Sequence, residues 1–288
     1  MNDVMKLVLI GSLAALFVIL FLPWFFKDRK RKRLDGPDLS GLEYTEISFD
    51  SGELKLAGML FLPGGQGPFP AVVVIHGSGT SARNSPWYLA VTEYLQANGI
   101  AVLLPDKRGS ERSGGDWKQA SMHDFAGDAS AAIGFLRVQK MFACSAIGVL
   151  GLSQGGWVVP IVAVEEEEVA FAISMSGAAV TVEEQILYQT MTDIAGWGTY
   201  RFVARMIAPL VAKSIMKKDY CRMLVGFDPL PYWKRVAVPA FMAFGEDDQA
   251  VPVKDSLERI RLLGNAHIRV KTYPGMGHGL AEPTVPGI

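Results

Sequence analysis

The chain is poor in cysteine and has no excess of charge of either sign. Its 288 residues hold two cysteines, Cys144 and Cys221, and 28 lysines and arginines against 29 acidic residues. Two cysteines provide no disulfide framework and no metal-ligand spacing. A Cys/His cluster, a phosphate-binding glycine loop and a dinucleotide fingerprint are also missing, so we expect no metal and no cofactor. The near-neutral charge balance argues against nucleic acid as a partner.

The most informative motif is Gly151-Leu152-Ser153-Gln154-Gly155. The apolar run before it is typical of a buried parallel strand, and the stretch from Gln154 to Val164 is typical of a helix. A Gly-x-Ser-x-Gly sequence between a strand and a helix indicates a nucleophile elbow, a tight turn that exposes the serine hydroxyl. We predict that Ser153 is a nucleophile, beside a helix N-terminus whose free N–H groups favour negative charge.

A serine hydroxyl needs a base to accept its proton, and the chain offers four histidines: His76, His123, His267 and His278. His278 follows a strand-like run in a glycine-rich loop, from which a side chain can reach into a site. We therefore predict His278 as the base. His76 ends another buried-strand pattern, His123 is interpreted as part of a helix start, and His267 as a solvated edge residue.

The carboxylate that orients such a histidine is expected on a loop after a strand, between the serine and the histidine along the chain. The strand-like Ala240–Phe244 and the loop Gly245–Pro252 meet this description. The residues alone leave Asp247 and Asp248 open, and we expect one of the two to be a solvated turn residue.

The order Ser153, Asp248, His278, with His-Gly-Ser-Gly at 76–79 upstream of the elbow, resembles the α/β-hydrolase superfamily, in which the triad runs serine, acid, histidine. The loop after Phe244 looks like the family's Gly-x-x-Asp-x-x-Val-Pro motif, which selects Asp248 over Asp247. The segments 105–109 and 124–129 are similar to pieces of the bacterial esterase and dienelactone-hydrolase-like branches. The resemblance covers residues 44–280.

The resemblance implies an oxyanion hole made of two backbone N–H groups, one from Gln154 and one from Ser78. It also implies a serine hydrolase that cleaves small-molecule esters through an acyl-enzyme. A peptidase or a thioesterase of the same fold is the alternative enzyme, since the same triad cleaves amides and thioesters. A non-catalytic protein that kept the fold is the alternative outside enzymes.

The pattern of the chain agrees with an α/β-hydrolase fold, a mostly parallel eight-stranded sheet with helices on both faces. A short turn at 51–53 predicts that the first two strands form an antiparallel hairpin. The predicted strands are Tyr44–Phe49, Ala57–Phe61, Ala71–Ile75, Ile100–Pro105, Ile147–Leu150, Phe171–Ser174, Ala240–Phe244 and Ile268–Tyr273.

A helical cap is predicted at about 178–228, where the alternation of strands and helices stops. Thr181-Val182-Glu183-Glu184 is typical of a capping box at a helix start. Large apolar side chains of this region either line an acyl pocket or pack the cap onto the body; they are Met191, Trp197, Phe202, Met206 and Met216.

The N-terminus is predicted to be a membrane anchor. Leu7–Phe26 contains no charged residue, and 20 helical residues span about 30 Å, the thickness of the hydrocarbon core. Residues 27–33 follow with six bases and one acid. By the positive-inside rule, this flank and the hydrolase domain should lie on the cytoplasmic side, with the bases near anionic lipid. The predicted organisation is an anchor at 1–26, a basic linker at 27–43 and a hydrolase domain at 44–288.

Only ten residues follow His278, and they contain Pro283 and Pro286. Related enzymes usually close with a further helix that packs on the sheet. A shortened fold, a truncated chain and a compensating partner are all compatible with this difference.

Overall fold

The computed structural model describes residues 36–280, together with residue 5 and residues 10–12. Most of the predicted anchor at 7–26, the basic segment 27–33 and the residues after 280 lie outside the described residues. Within the described parts, no helix has the length and apolar character needed to cross a bilayer. The anchor therefore remains a prediction.

The fold is built on one eight-stranded sheet with the strand order β1-β2-β4-β3-β5-β6-β7-β8. Strand β1 pairs with β2, and β2 with β4, in the antiparallel direction, whereas all other pairs are parallel. The strands are β1 Thr45–Ser51, β2 Leu54–Phe61, β3 Phe69–Ile75, β4 Ala101–Pro105, β5 Cys144–Leu152, β6 Val169–Met175, β7 Ala240–Gly245 and β8 Ile268–Tyr273. All eight predicted strands and the first hairpin are confirmed.

Eight α-helices connect or follow these strands in the described part of the chain. They are α1 Pro86–Ala97, α2 Met122–Val138, α3 Gln154–Glu165, α4 Val182–Gly196, α5 Arg201–Met216, α6 Asp219–Arg222, α7 Leu230–Arg235 and α8 Val253–Leu263. Helix α1 packs on one face of the sheet, with Leu89 fully buried beside Val72 and Leu104. Helices α2, α3 and α8 pack on the opposite face, so helices on both faces are confirmed.

The core on the second face encloses the strand and the helix on either side of the elbow. The middle of β5 is buried, and α3 is buried along almost its whole length. Val158, Ile161 and Val162 are all fully buried in this core. A helix that is apolar all round must be enclosed by protein, and α3 therefore holds its N-terminus at a fixed point above the sheet.

Helices α4 to α7 form the predicted insertion between β6 and β7. Thr181 caps α4, because its Oγ1 accepts a hydrogen bond from the Glu184 N–H while the Glu184 carboxylate accepts from the Thr181 N–H. The predicted capping box is thus confirmed. The insertion contacts the loop that follows β7, since Tyr188 Oη lies 3.2 Å from the Asp248 carbonyl oxygen.

One face of the sheet at β6 and β7 borders an open groove in the described structure. Phe171, Ile173 and Phe241 line it, together with Arg269 of β8. Phe171, Ile173 and Phe241 are only partly buried, and Arg269 is exposed; the groove lies on the same face as α1.

Candidate active site

Ser153 lies on a tight turn between β5 and α3, at the carboxyl edge of the sheet. Its backbone has φ 55° and ψ −116°, a conformation that costs a non-glycine residue free energy and is retained only where the surroundings impose it. The Ser153 N–H donates to the Met175 carbonyl oxygen at 2.9 Å, and its carbonyl oxygen accepts from the Gly156 N–H at 2.9 Å. The turn therefore presents the side chain away from the sheet.

The glycines on either side of Ser153 are required by close packing. A Cβ on Gly151 would lie 2.2 Å from the Gly155 carbonyl oxygen, and a Cβ on Gly155 would lie 2.1 Å from the Ile75 carbonyl oxygen. Both neighbours are backbone atoms, which cannot move aside as a flexible side chain can. The spacing of the Gly-x-Ser-x-Gly motif is thus imposed by the meeting of β3, β5 and α3.

His278 and Asp248 lie together at the same edge of the sheet. His278 Nδ1 is 2.8 Å from Asp248 Oδ2. The other carboxylate oxygen, Oδ1, accepts from the N–H groups of Ala250 and Val251 at 2.8 and 3.0 Å. The Asp248 side chain is fully buried, whereas His278 keeps 24% of its side chain exposed. Asp247 makes no such contact, so the structure brings Asp248 rather than Asp247 to the histidine.

The histidine loop is tied to the elbow through β6. Met175, the last residue of β6, accepts the hydrogen bond from the Ser153 N–H. The next residue is Ser176, whose Oγ donates to the His278 carbonyl oxygen at 2.6 Å. Trp87 Nε1 donates to the Gly279 carbonyl oxygen at 2.7 Å. Within the described residues, no hydrogen bond joins Ser153 Oγ to His278; such bonds often form only when substrate is bound.

The other three histidines are placed away from this role. His76 Nε2 lies 2.7 Å from the Pro105 carbonyl oxygen, and burial lowers the pKa of its imidazole to about 4. His123 lies in the first turn of α2 and is 3.0 Å from Tyr232 Oη. His267 is exposed and precedes β8, at the edge of the sheet opposite Ser153.

The two predicted oxyanion donors flank the nucleophile. Gln154 is the first residue of α3, where N–H groups have no partner inside the helix. The loop after β3 approaches from the other side, because a Cβ on Gly77 would lie 3.5 Å from Ser153 Cβ. The Gly77 N–H already donates to Tyr88 Oη at 2.7 Å. No acceptor for the Ser78 N–H is present among residues 36–280.

The comparison with family models gives a decisive match. Residues 66–231 match the family described as serine aminopeptidase, S33. The chain belongs to the S33 serine aminopeptidase family. The matched range contains Ser78, Ser153 and Gln154 but ends before Asp248 and His278. The predicted relationship to α/β-hydrolases is thereby confirmed.

The chain is similar to an esterase and to an acylamino-acid-releasing enzyme. Esterase EstD of Thermotoga maritima is 25% identical over 274 residues, which cover 88% of this chain and 65% of EstD. The acylamino-acid-releasing enzyme of Rattus norvegicus is 23% identical over 252 residues, which cover 85% of this chain and 33% of that enzyme. The chain thus spans under two thirds of the length of EstD and about a third of the length of the acylamino-acid-releasing enzyme.

A solved esterase of Pyrococcus furiosus has the same fold. It superposes with a TM-score of 0.62 at 22% identity, and the alignment covers 88% of this chain and 90% of the esterase. At this identity the likeness shows the α/β-hydrolase architecture.

A cavity of about 460 Å³ opens beside Ser78 and Gln154, the two predicted oxyanion donors. Besides Ser78 and Gln154, residues of helices α4, α5 and α6 line it. Its apolar walls come from Trp117, Trp157, Ile186, Ile215, Tyr220, Cys221 and Leu224, and its polar groups include Gln185, Gln189, Thr190 and Asp193.

The five cap residues considered for an acyl pocket do not line this cavity. Trp197, Phe202 and Met206 are 53%, 58% and 73% exposed, so they neither line the cavity nor pack the cap onto the body. Met191 packs instead within the cap, beside Ile194. The sequence pattern identified the cap helices but not the faces that they turn inward.

Lys107 is a residue at this site that sequence reasoning missed. It lies two residues after the end of β4, and only 7% of it is exposed. Its Nζ donates to the Gly77 carbonyl oxygen at 2.7 Å and to Gln154 Oε1 at 2.8 Å. Burial lowers the pKa of the Lys107 ammonium from 10.5 to about 7. The available signal was a lysine inside the Asp-x-Arg-Gly segment, immediately after an apolar strand.

Proposed function

We propose that the protein cleaves carboxylic esters through an acyl-enzyme formed on Ser153. The observation that carries this proposal is the 2.8 Å contact between His278 Nδ1 and Asp248 Oδ2, at the sheet edge where Ser153 occupies its strained turn. A buried carboxylate that holds one imidazole nitrogen leaves the other nitrogen to accept a proton. A partly buried serine hydroxyl on a turn gives that nitrogen a proton to accept.

In this mechanism Ser153 Oγ attacks the ester carbonyl carbon while its proton passes to His278 Nε2. The tetrahedral oxyanion accepts hydrogen bonds from the N–H groups of Ser78 and Gln154. When the intermediate collapses, the carbon–oxygen bond to the alcohol breaks and Nε2 returns the proton to the leaving oxygen. Water then attacks the acyl-enzyme, again with His278 as base, and releases the acid and free Ser153.

The cavity beside Ser78 and Gln154 suits the acyl part of the substrate. His278 must lie near the leaving oxygen in order to protonate it, and His278 is not among the residues that line the cavity. The leaving alcohol therefore lies on the histidine side, and the acyl chain extends into the cavity. Its volume of about 460 Å³ and its mainly apolar walls favour medium-length or aromatic acyl groups.

Amide or thioester cleavage is the alternative for the same residues. The family description names aminopeptidases, and one relative is an acylamino-acid-releasing enzyme. Parallel assays with a p-nitrophenyl ester, an N-acetyl-aminoacyl p-nitroanilide and an acyl-CoA separate the three reactions. The ester should give the largest kcat/KM; a larger value for either other substrate reassigns the substrate class.

The first test is labelling by a fluorophosphonate probe. We expect rapid labelling of the wild-type protein, none in Ser153→Ala, and labelling slowed by at least about 10³-fold in Asp248→Asn, which leaves His278 in the wrong tautomer. Asp247→Asn is the matched control, since it removes the neighbouring charge and should label at nearly the wild-type rate. A folded wild type that neither labels nor hydrolyses would instead support a non-catalytic protein of this fold.

We further propose that residues 7–26 anchor the protein in a membrane, with the basic flank at 27–33 and the hydrolase domain on the cytoplasmic side. The support is the uncharged run of 20 residues and the six bases that follow it. Alkaline carbonate extraction of cell membranes should leave the full-length chain in the pellet. Protease added to spheroplasts should leave the hydrolase domain intact. Release by carbonate would contradict the anchor, and digestion from outside would contradict the orientation.

A further inference from the structure

Lys107 is a buried residue of the site that takes no part in the proposed chemical steps. Its ammonium group is enclosed by protein, 4.5 Å from the centre of the Phe125 ring and 5.7 Å from that of Trp117. Both of its hydrogen-bond acceptors, the Gly77 carbonyl oxygen and Gln154 Oε1, are neutral oxygens. Burying a lysine costs free energy unless something compensates for the lost water, so its position calls for an explanation.

Each acceptor is linked to one of the proposed oxyanion donors. The Gly77 carbonyl shares a peptide unit with the Ser78 N–H, and Oε1 belongs to Gln154, whose backbone N–H is the other donor. The Gly77 carbonyl and the Ser78 N–H are parts of one planar peptide unit, in which the C=O and N–H bonds point in opposite directions. A hydrogen bond from Lys107 Nζ to the Gly77 oxygen therefore directs the Ser78 N–H away from the lysine. The second hydrogen bond fixes the side chain of Gln154, whose own N–H is the other donor.

The lysine itself is held in place by its neighbours. The Lys107 N–H donates to Ser81 Oγ at 3.0 Å, which ties β4 to the same loop that carries Ser78. The preceding residue, Asp106, forms a two-point ion pair with Arg83, with Nε–Oδ1 and Nη2–Oδ2 distances of 2.9 and 2.7 Å. Lys107 thus projects from a fixed segment, and its Nζ bridges two elements, the β3 loop and the start of α3.

We propose that Lys107 is a positioning residue that sets the two backbone donors of the oxyanion hole. This inference rests on the proposed esterase function. The lysine orients the Ser78 peptide from behind and holds Gln154 against it, so that both N–H groups converge before the substrate arrives. The hydrogen bond from Lys107 Nζ to the Gly77 oxygen also polarises the Gly77–Ser78 peptide unit, which makes the Ser78 N–H a stronger donor. Preorganised donors of this kind act mainly on the transition state.

The test compares steady-state ester hydrolysis and inhibitor binding in the wild type, Lys107→Met, Lys107→Gln and Lys118→Met. Lys118→Met is the matched control, because Lys118 is an exposed lysine on the same segment of the chain. In Lys107→Met we expect kcat to fall by about 10²–10³, the loss typical of one oxyanion donor, with KM changed less than threefold. The affinity for a trifluoromethyl ketone, which forms a tetrahedral oxyanion on the serine, should fall by a similar factor. Lys107→Gln keeps a donor and should recover part of kcat.

The outcomes separate this inference from the function on which it rests. A wild type that neither hydrolyses esters nor binds the ketone overturns both. If the wild type is active, and kcat and ketone affinity of Lys107→Met lie within threefold of the wild-type values, only the role of Lys107 is overturned. If KM rises by the same factor as kcat falls, and Lys107→Gln recovers no activity, the site is generally disordered. This result would also contradict the proposed role of Lys107. If Lys107→Met does not fold, Lys107→Gln still decides, because it should lose about tenfold in kcat.

Discussion

Replacing Lys107 by methionine should change how the stability of the protein depends on pH. Burial lowers the pKa of this lysine from 10.5 to about 7 in the folded protein, while in the unfolded chain the group keeps its ordinary value. Between these two values the unfolded chain binds a proton that the folded protein does not. Stability therefore rises with pH across this interval and is lost as the pH falls toward 7. Methionine cannot titrate, so Lys107→Met lacks this rise.

The size of the effect follows from the two pKa values. One bound proton corresponds to about 1.4 kcal/mol per pH unit, and the slope reaches its full value only above the folded-state pKa. Between pH 7 and pH 9 the free energy of unfolding of the wild type should therefore rise by about 2 kcal/mol relative to Lys107→Met. The two acceptors that methionine leaves unpaired lower stability by an amount that does not change with pH. The comparison of slopes removes that term.

Urea unfolding of both proteins at pH 7, 8 and 9, followed by circular dichroism, measures this difference. Lys118→Met controls for the change in net charge at an exposed position. A difference between wild type and Lys107→Met that stays constant within about 0.5 kcal/mol over this range would refute the reasoning. It would mean that water reaches the ammonium group or that a charge compensates for its burial.

Two further predictions concern the elbow and the cavity. Gly155→Ala places a Cβ 2.1 Å from the Ile75 carbonyl oxygen, and it should lower the free energy of unfolding by more than about 3 kcal/mol. The control is Gly134→Ala, whose Cβ has open space around it. Urea unfolding should show a change of less than about 1 kcal/mol for this control. Ile186→Trp fills part of the cavity and should lower kcat/KM for p-nitrophenyl octanoate by at least about tenfold relative to the acetate, and equal effects on both esters would place the acyl chain elsewhere.

The sheet and the elbow could be predicted because their signals are local. A buried parallel strand is a short continuous apolar run, and each of the eight runs predicted as strands is a strand in the structure. The glycines around Ser153 mark a place where backbone meets backbone, so their spacing alone reveals the turn. The pairing of Asp248 with His278 also follows a local rule, because each residue lies on the loop directly after a strand of the same parallel sheet.

The cavity walls and Lys107 could not be predicted in this way. Helix α5 is rich in apolar residues on most sides, and its exposed surface includes Phe202 and Met206. Periodicity therefore does not show which side faces the site. Lys107 acts on residues 30 and 47 positions away along the chain. Its contacts depend on the placement of β4 next to β3, a strand order that a list of strands does not contain.

The position of Lys107 also shows why a residue inside a recognised motif can carry a separate role. On either side of it, Asp106 and Arg108 form ion pairs that fix the loop, with Arg83 and Asp128. An apolar side chain between them would fill the same space without the cost of desolvating an ammonium group. Buried charge that lowers stability is expected mainly where activity requires it. The lysine donates to the Gly77 carbonyl oxygen and to Gln154 Oε1, next to the two N–H groups that would meet the developing oxyanion, and preorganised donors there act mainly on the transition state.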